Sequence, residues 1–182
     1  MLLSRWKKLS SKILSGNPWW TYKLDEFESP RGTRGQYHYV HTPGSSMVIP
    51  VLDDGKVVLV HQYRYLRDMP SLEFPCGGVK EGTTYEETAD HELAEEAGLK
   101  ARHKELIGEF NPFNGVTDEI CRVYLARGLT RVPKKPDETE EFFEEMHLTP
   151  RELDLKIERG EIWDGMTLAA WAMARHRLIG KS

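Results

Sequence analysis

Three glutamates, Glu92, Glu95 and Glu96, lie within five residues of one another, shortly after a glycine pair at positions 77 and 78. On a helix, Glu92 and Glu96 would share one stripe and Glu95 would lie beside it. Neighbouring carboxylates repel one another unless a cation neutralises them. Such oxygen ligands suit a hard divalent ion, Mg²⁺ or Mn²⁺, which can also bind a substrate phosphate. The alternative is a solvated acidic helix face.

A short helix must position these carboxylates, and its two ends are visible in the sequence. Thr83 and Thr84 are each followed three residues later by a glutamate, so either threonine could begin the helix in a capping box. Gly98 can end it, because glycine adopts the left-handed conformation without steric cost. The apolar residues between these ends recur at four-residue spacing, as expected for a face that packs on a sheet: Ala89, Leu93 and Ala97.

The whole segment 77–99, GGVKEGTTYEETADHELAEEAGL, resembles the signature of the Nudix hydrolases. That family has a glutamate where this chain has Thr83 and an arginine where it has His91, and the other signature positions agree. The two departures remove opposite charges together, which avoids leaving one of them unpaired. We expect Thr83 to keep a capping role and His91 to donate a hydrogen bond to a neighbouring carboxylate.

Segments on both sides of the signature resemble ADP-ribose pyrophosphatases and related nucleoside diphosphate sugar hydrolases. They include VVLVHQYRYLRDMPSLEFPCGGV, GEFNPFNGVTDEICRVYLARGL and EIWDGMTLAAWAMARHRL, and the similarity extends over residues 18–178. The resemblance implies a metal-dependent enzyme that hydrolyses ADP-ribose to AMP and ribose 5-phosphate, with GDP-mannose (to GMP and mannose 1-phosphate) as a second substrate. Two alternatives are a hydrolase of dinucleotides or nucleoside triphosphates and a nucleotide-binding sensor with decayed catalysis. The retained glutamates argue against the sensor.

The resemblance also assigns the metal ligands. The backbone carbonyl of Cys76 and the carboxylates of Glu92 and Glu96 are expected to bind Mg²⁺ or Mn²⁺, and Glu95 is expected to assist them in catalysis. A thiol beside a metal can be reactive, but the favoured interpretation of Cys76 is an inert one.

The acidic run at 137–141 follows the proline-bounded PKKP and has two interpretations. Most such runs are solvated surface. In the resembled subfamily, however, the equivalent loop supplies the base that deprotonates the attacking water. By that resemblance Glu138 is the expected base, and Glu140 is an additional metal ligand or an alternate base.

Substrate contacts are expected from five further residues. Arg64 resembles the subfamily arginine that binds a substrate phosphate, since its planar fork can hold two oxygens; a surface salt bridge is the alternative. Glu73 could hydrogen-bond the substrate or anchor its loop. Trp19 and Trp20 could stack on a nucleobase or equally form the core of a dimer, and Phe113 is a further aromatic candidate.

The periodicity along the chain predicts an α/β fold with a mixed sheet held between helices. Strands are expected at 22–28, 36–41, 106–110, 119–126 and 142–148, a hairpin at 47–52 and 57–63, and helices at 149–159 and 165–178. The resemblance implies a Nudix α/β/α sandwich. Residues 45–182 would form the hydrolase domain, and residues 1–44 a small N-terminal β subdomain that is exchanged with a partner in a homodimer.

The N-terminal residues 1–16 are basic and amphipathic, which predicts a helix packed on the protein or on a dimer partner rather than on a membrane surface. No apolar run approaches the roughly 20 residues that span a bilayer. A net charge of −4 without a basic stripe argues against nucleic-acid binding. With 39% hydrophobic residues and only Cys76 and Cys121, the chain fits a one-core cytoplasmic protein without a disulfide framework.

Overall fold

The computed structural model describes residues 4–134 and 144–179. The chain divides into two compact units: Met1–Pro43 with Asn111–Ile120, and Gly44–Phe110 with Cys121–Ser182. The strands in the described ranges are β1 (Lys7–Gly16), β2 (Thr21–Glu28), β3 (Arg34–His41), β4 (Ser45–Pro50), β5 (Val57–Arg64), β6 (Met69–Glu73), β7 (Cys76–Gly78), β8 (Leu99–Phe110), β9 (Cys121–Arg131) and β10 (Glu144–Leu148). The α-helices are α1 (Tyr85–Ala97), α2 (Pro150–Glu158) and α3 (Gly165–Leu178).

The first unit contains an antiparallel sheet in the order β1-β2-β3. The predicted strands β2 and β3 are confirmed, but the predicted N-terminal helix is wrong, because these residues form β1. Its register against β2 shifts twice, with Leu9 and Leu14 as the extra residues. Each bulge interrupts the two-residue alternation of a strand. The apolar residues therefore recur at three- and four-residue spacing, which resembles a helix.

The loop Asn111–Ile120 belongs to this first unit, although the sequence places it within the domain 45–182. Its backbone pairs with the end of β3: Val40 N donates to Val116 O, and Asp118 N donates to Val40 O. His41 Nδ1 also lies 2.8 Å from Asp118 Oδ2. Hydrogen bonds between residues so distant in sequence have no local signal, so the sequence could not indicate this placement.

The second unit contains two sheets, with strand orders β7-β4-β9-β8 and β10-β5-β6. β4 pairs in parallel with β9, and the other strand pairs are antiparallel. The predicted hairpin between β4 and β5 is wrong: they lie in different sheets and share only an isolated bridge between Val51 and Val57. The turn at 54–55 is present, but the partners of β4 come from distant parts of the chain.

Both faces of the central strands are buried. Along β4, Met47 and Ile49 enter one apolar core and Val48 enters the other; along β5, Leu59 and Val58 divide in the same way. The helices complete the two cores with Leu153 from α2, Trp171 from α3 and Leu93 from α1. Helix α1 therefore covers one side and α2 with α3 the other, which confirms the predicted α/β/α sandwich.

Within the described part of the chain, no helix is both long enough and apolar enough to span a bilayer.

Candidate active site

Helix α1 has defined ends that hold its carboxylates in place. Thr84 is the N-cap: its side chain accepts a hydrogen bond from Glu87 N at 3.2 Å, and the Glu87 carboxylate accepts one from Thr84 N at 2.8 Å. Hydrogen bonding to Thr84 also lowers the pKa of the Glu87 carboxyl. Gly98 ends the helix with φ of 58°. The capping role expected of Thr83 is wrong, because its hydroxyl instead bonds to the backbone of Lys80 in the preceding turn.

Two of the three predicted glutamates are buried on the inner face of this helix. Glu92 retains 9% of its exposure and Glu96 only 2%. Glu96 Oε2 accepts a hydrogen bond from Cys76 N at 3.1 Å, which ties the helix to β7. The Glu92 carboxylate fills the space beside Gly77 in which a Cβ would stand. The glycine turn and the acidic helix therefore form one structural unit.

The outer edge of the cluster is formed by His91 and Glu95. His91 Nδ1 lies 2.9 Å from Glu95 Oε2, which confirms the expected contact between this histidine and a neighbouring carboxylate. Ligand atoms from His91, Glu92 and Glu95 all lie within 4.8 Å of one another. Two carboxylates and an imidazole so close together are a donor set that fits a divalent cation.

The thiol of Cys76 lies in the same region. A hydrogen bond with Cys121 and burial raise the pKa of the Cys76 thiol well above its usual value, and the nearby Glu96 and Glu92 raise it further. The thiol is therefore protonated at neutral pH, and a protonated thiol is a poor nucleophile. Neither Cys76 nor Cys121 forms a disulfide bond.

Arg64, at the end of β5, forms an ion pair with Glu73 in β6. Its Nε donates to Glu73 Oε1 at 2.7 Å, and its Nη2 contacts Oε2. Glu73 is buried, whereas 44% of the Arg64 side chain is exposed. The hydrogen bond to Glu73 raises the pKa of Arg64, and the charges of Asp164 and Glu96 contribute as well. The negative charge of Glu96, one of the glutamates on α1, therefore acts on Arg64.

Two polar residues around this pair were not predicted. Gln62 Nε2 donates to Glu73 Oε2 at 3.3 Å. Because Gln62 precedes Arg64 by two residues on one strand, both side chains lie on the same face, and that spacing was a usable signal. Asp164 caps α3 by accepting from Thr167 N at 2.7 Å. No local pattern connects it to an arginine one hundred residues earlier.

The remaining predicted site residues fall into two groups. Trp19, Trp20 and Phe113 belong to the first unit, where their side chains are exposed. The backbone amides of both tryptophans donate to Asn17 Oδ1 at 2.9 Å, which fixes the turn that carries them. Glu138 and Glu140 lie outside the residues that the structure describes.

Comparison with known proteins shows to which family the chain belongs. Residues 41–169, which include the glycine turn, α1 and most of both sheets, match the NUDIX domain. The chain belongs to the Nudix family. It is 32% identical over 148 residues to an ADP-ribose pyrophosphatase of Bacillus subtilis (strain 168), covering 81% of this chain and 80% of that protein. The Nudix signature recognised in the sequence is thereby confirmed, and the chain is a Nudix hydrolase.

Two other relatives and one solved structure extend this comparison. The methanol dehydrogenase activator of Bacillus methanolicus is 31% identical over 149 residues, covering 81% of this chain and 80% of that protein. An ADP-ribose pyrophosphatase of Mycobacterium tuberculosis is 29% identical over 163 residues, covering 88% and 79%. The crystal structure of an ADP compounds hydrolase superimposes with a TM-score of 0.83 at 18% identity, covering 98% and 96%, and so shares the fold.

Proposed function

We propose that this Nudix hydrolase cleaves the phosphoanhydride bond of nucleoside diphosphate sugars, with ADP-ribose as its main substrate and AMP and ribose 5-phosphate as products. The observation that carries the proposal is the pairing of a carboxylate cluster on α1 with a partly exposed arginine, Arg64, in electrostatic range of Glu96. Two relatives named ADP-ribose pyrophosphatase support this substrate class. A cation and an arginine are the groups that bind adjacent phosphates.

The proposed cofactor is a divalent ion, Mg²⁺ or Mn²⁺. Glu92 and Glu96, together with the backbone carbonyl of Cys76, would hold it, and Glu95 would assist. When bound, the ion polarises the phosphates and lowers the pKa of a coordinated water. The positions of Glu92 and Glu96 support this assignment, because both buried carboxylates lie against β7, the strand that begins at Cys76.

Side chains of the protein would bind the phosphates and activate the attacking water. Arg64 would neutralise phosphate oxygens with the part of its guanidinium that stays accessible, while Glu73 and Gln62 hold its orientation. Glu138 is the proposed base for the attacking water, and Glu140 the additional metal ligand or alternate base; both lie outside the described residues.

A homodimer is proposed as the working assembly. The first unit exposes large apolar side chains, including Trp6 at 60%, Ile13 at 67% and Trp19 at 76%. Contiguous exposed apolar surface is typical of a protein interface. Light scattering coupled to gel filtration should give twice the mass of the 182-residue chain, and a mass of one chain at micromolar concentration would reject the dimer.

The substrate proposal is tested by incubating purified protein with Mg²⁺ or Mn²⁺ and a panel of ADP-ribose, GDP-mannose, a dinucleotide and nucleoside triphosphates, then identifying products by mass. AMP and ribose 5-phosphate from ADP-ribose are expected to form fastest. Cleavage of triphosphates or dinucleotides alone would overturn the nucleotide-sugar assignment. Binding without turnover of any compound would indicate the sensor, which the departures at Thr83 and His91 favour.

A further inference from the structure

We propose that His91 supplies a nitrogen ligand to the metal site, so that this enzyme prefers a first-row transition-metal ion such as Mn²⁺ or Co²⁺ to Mg²⁺. The proposal rests on the proposed function, because it concerns the cation that the carboxylate cluster would hold. What carries it is the position of the imidazole. Its Nδ1 lies 2.9 Å from Glu95 Oε2, and His91 shares with Glu92 and Glu95 a set of donor atoms within 4.8 Å.

The contact between His91 and Glu95 has the spacing of two ligands on one ion. For bonds of about 2.1 Å to a six-coordinate ion, donor atoms on adjacent corners lie about 3.0 Å apart, and those on opposite corners about 4.2 Å apart. The contact between His91 and Glu95 matches the separation of adjacent corners, and no two of the three donor atoms lie more than 4.8 Å apart. A cation can therefore replace the present contact without a large movement of either side chain.

The chemistry of His91 differs from that of the residue it replaces in the Nudix signature. An arginine at this position is always charged and offers no lone pair, so it cannot bind a metal. A neutral imidazole does offer one, and imidazole ligands favour transition-metal ions over Mg²⁺. The substitution therefore converts a position that repels cations into one that can bind them.

The inner and outer sides of the cluster differ in solvent exposure, and this difference supports His91 as a ligand that can adjust to the ion. Glu96 is buried and already accepts from the backbone of Cys76, which fixes the inner side. The side chain of His91 is 58% exposed and that of Glu95 is 21% exposed, so both can adjust to an incoming ion. Glu92, buried between the two faces, is common to both.

The first test is pulsed EPR of the full chain loaded with Mn²⁺, which detects magnetic nuclei bonded to the ion and does not depend on activity. The wild-type chain should show ¹⁴N modulation, and incorporation of ¹⁵N-labelled histidine should change its frequency. His91→Gln should abolish the modulation, whereas the matched control His176→Gln, an exposed position on α3, should retain it. Absence of nitrogen modulation in the wild type, or its persistence in His91→Gln, overturns the proposal.

Calorimetry provides a second measurement. His91→Gln should weaken Co²⁺ binding about 10-fold or more while changing Mg²⁺ binding by only about 2-fold, since only the transition metal gains from the nitrogen. Equal losses for the two ions would overturn the proposal. The proposed function fails separately: a wild-type chain that hydrolyses ADP-ribose with Mg²⁺ but shows no nitrogen coupling rejects the His91 ligand alone.

Discussion

The carboxylate of Glu92 occupies the space that a side chain on Gly77 would need. A Cβ built on Gly77 would stand 2.2 Å from Glu92 Oε1 and 2.6 Å from Oε2, well inside any van der Waals contact. At the neighbouring Gly78, the nearest heavy atom to such a Cβ is Gly44 O at 4.0 Å. The first glycine of the turn is therefore required by the carboxylate of Glu92 on α1 rather than by backbone conformation.

Gly77→Ala is expected to lower turnover about 100-fold, because a displacement of about 1 Å in a catalytic group has an effect of that size. The added methyl must push the Glu92 carboxylate away, because the Cβ and the carboxylate cannot occupy the same space. Steady-state kinetics with ADP-ribose measures the change. Gly78→Ala is the matched control, and equal activity in the two variants would contradict the steric explanation.

Glu96→Gln should lower turnover by orders of magnitude while leaving the fold intact. The amide oxygen can still accept the hydrogen bond from Cys76 N, but the negative charge that would hold a cation is lost. Kinetics and thermal unfolding are measured side by side. The control is Glu86→Gln, an exposed glutamate in the first turn of the same helix. Unchanged turnover in Glu96→Gln would remove this residue from the site.

Arg64→Ala should destabilise the protein more than Glu73→Gln does. Removing the arginine leaves a buried carboxylate without its counter-ion, at a cost of about 3 kcal/mol, whereas Arg64 left without Glu73 can turn towards water. Glu73→Gln should cost about 1 kcal/mol, because the amide keeps the shape and part of the hydrogen bonding. Urea unfolding measures both values. The reverse order would mean that the pair is held together by something other than the burial of Glu73.

Restoring the family's charges should recover a favourable interaction between two positions. Thr83 and His91 both line a small cavity of about 90 Å³ beside α1, together with Thr88. In a double-mutant cycle, the free energy of unfolding of the double variant Thr83→Glu/His91→Arg should exceed the value obtained by adding the two single-variant effects. The expected excess is about 0.5 to 1 kcal/mol. Urea unfolding of the four proteins gives the coupling energy. Strict additivity would show that the two positions do not interact.

Glu145 should stabilise the protein in a pH-dependent way. Burial alone would raise the pKa of its carboxyl, but hydrogen bonds from Arg131, Lys134 and His147 outweigh burial and lower the pKa from 4.5 to about 2. The stabilisation is therefore complete above about pH 4.5 and is lost as the pH falls towards 2. Glu145→Gln should cost about 1 to 2 kcal/mol at pH 7, allowing for solvent screening of its partners.

Urea unfolding between pH 7 and 3 checks this dependence. The difference in unfolding free energy between wild type and Glu145→Gln should shrink below pH 4.5, while the exposed Glu144→Gln serves as the control. A difference that stays constant over this range would rule out the lowered pKa as its cause.

The sequence predicted best those elements whose ends carry a chemical signal. Helix α1 lies between a capping threonine and a left-handed glycine, and α3 runs over the residues that its pattern indicated. The carboxylates of Glu92, Glu95 and Glu96 were recognisable because their spacing belongs to one helix. Local patterns were sufficient in each of these cases.

Features that depend on distant residues could not be predicted in the same way. The strand β1 was mistaken for a helix because bulges at Leu9 and Leu14 alter its alternation. The parallel partner of β4 is β9, which follows it after about seventy residues, so nothing local distinguishes this pairing from a hairpin with β5. The ion pair of Arg64 with Glu73 likewise depends on the register between β5 and β6.

The contacts of Glu145 bear on how much the chain between β9 and β10 can vary in length. Glu145, at the start of β10, binds Arg131 at the end of β9 and Lys134 just beyond it. These ion pairs tie the end of β9 to the start of β10. Doubling the length of such a connection costs only about 0.6 kcal/mol in closure entropy. Glu145 should therefore keep the end of β9 and the start of β10 together when the length of the chain between them changes.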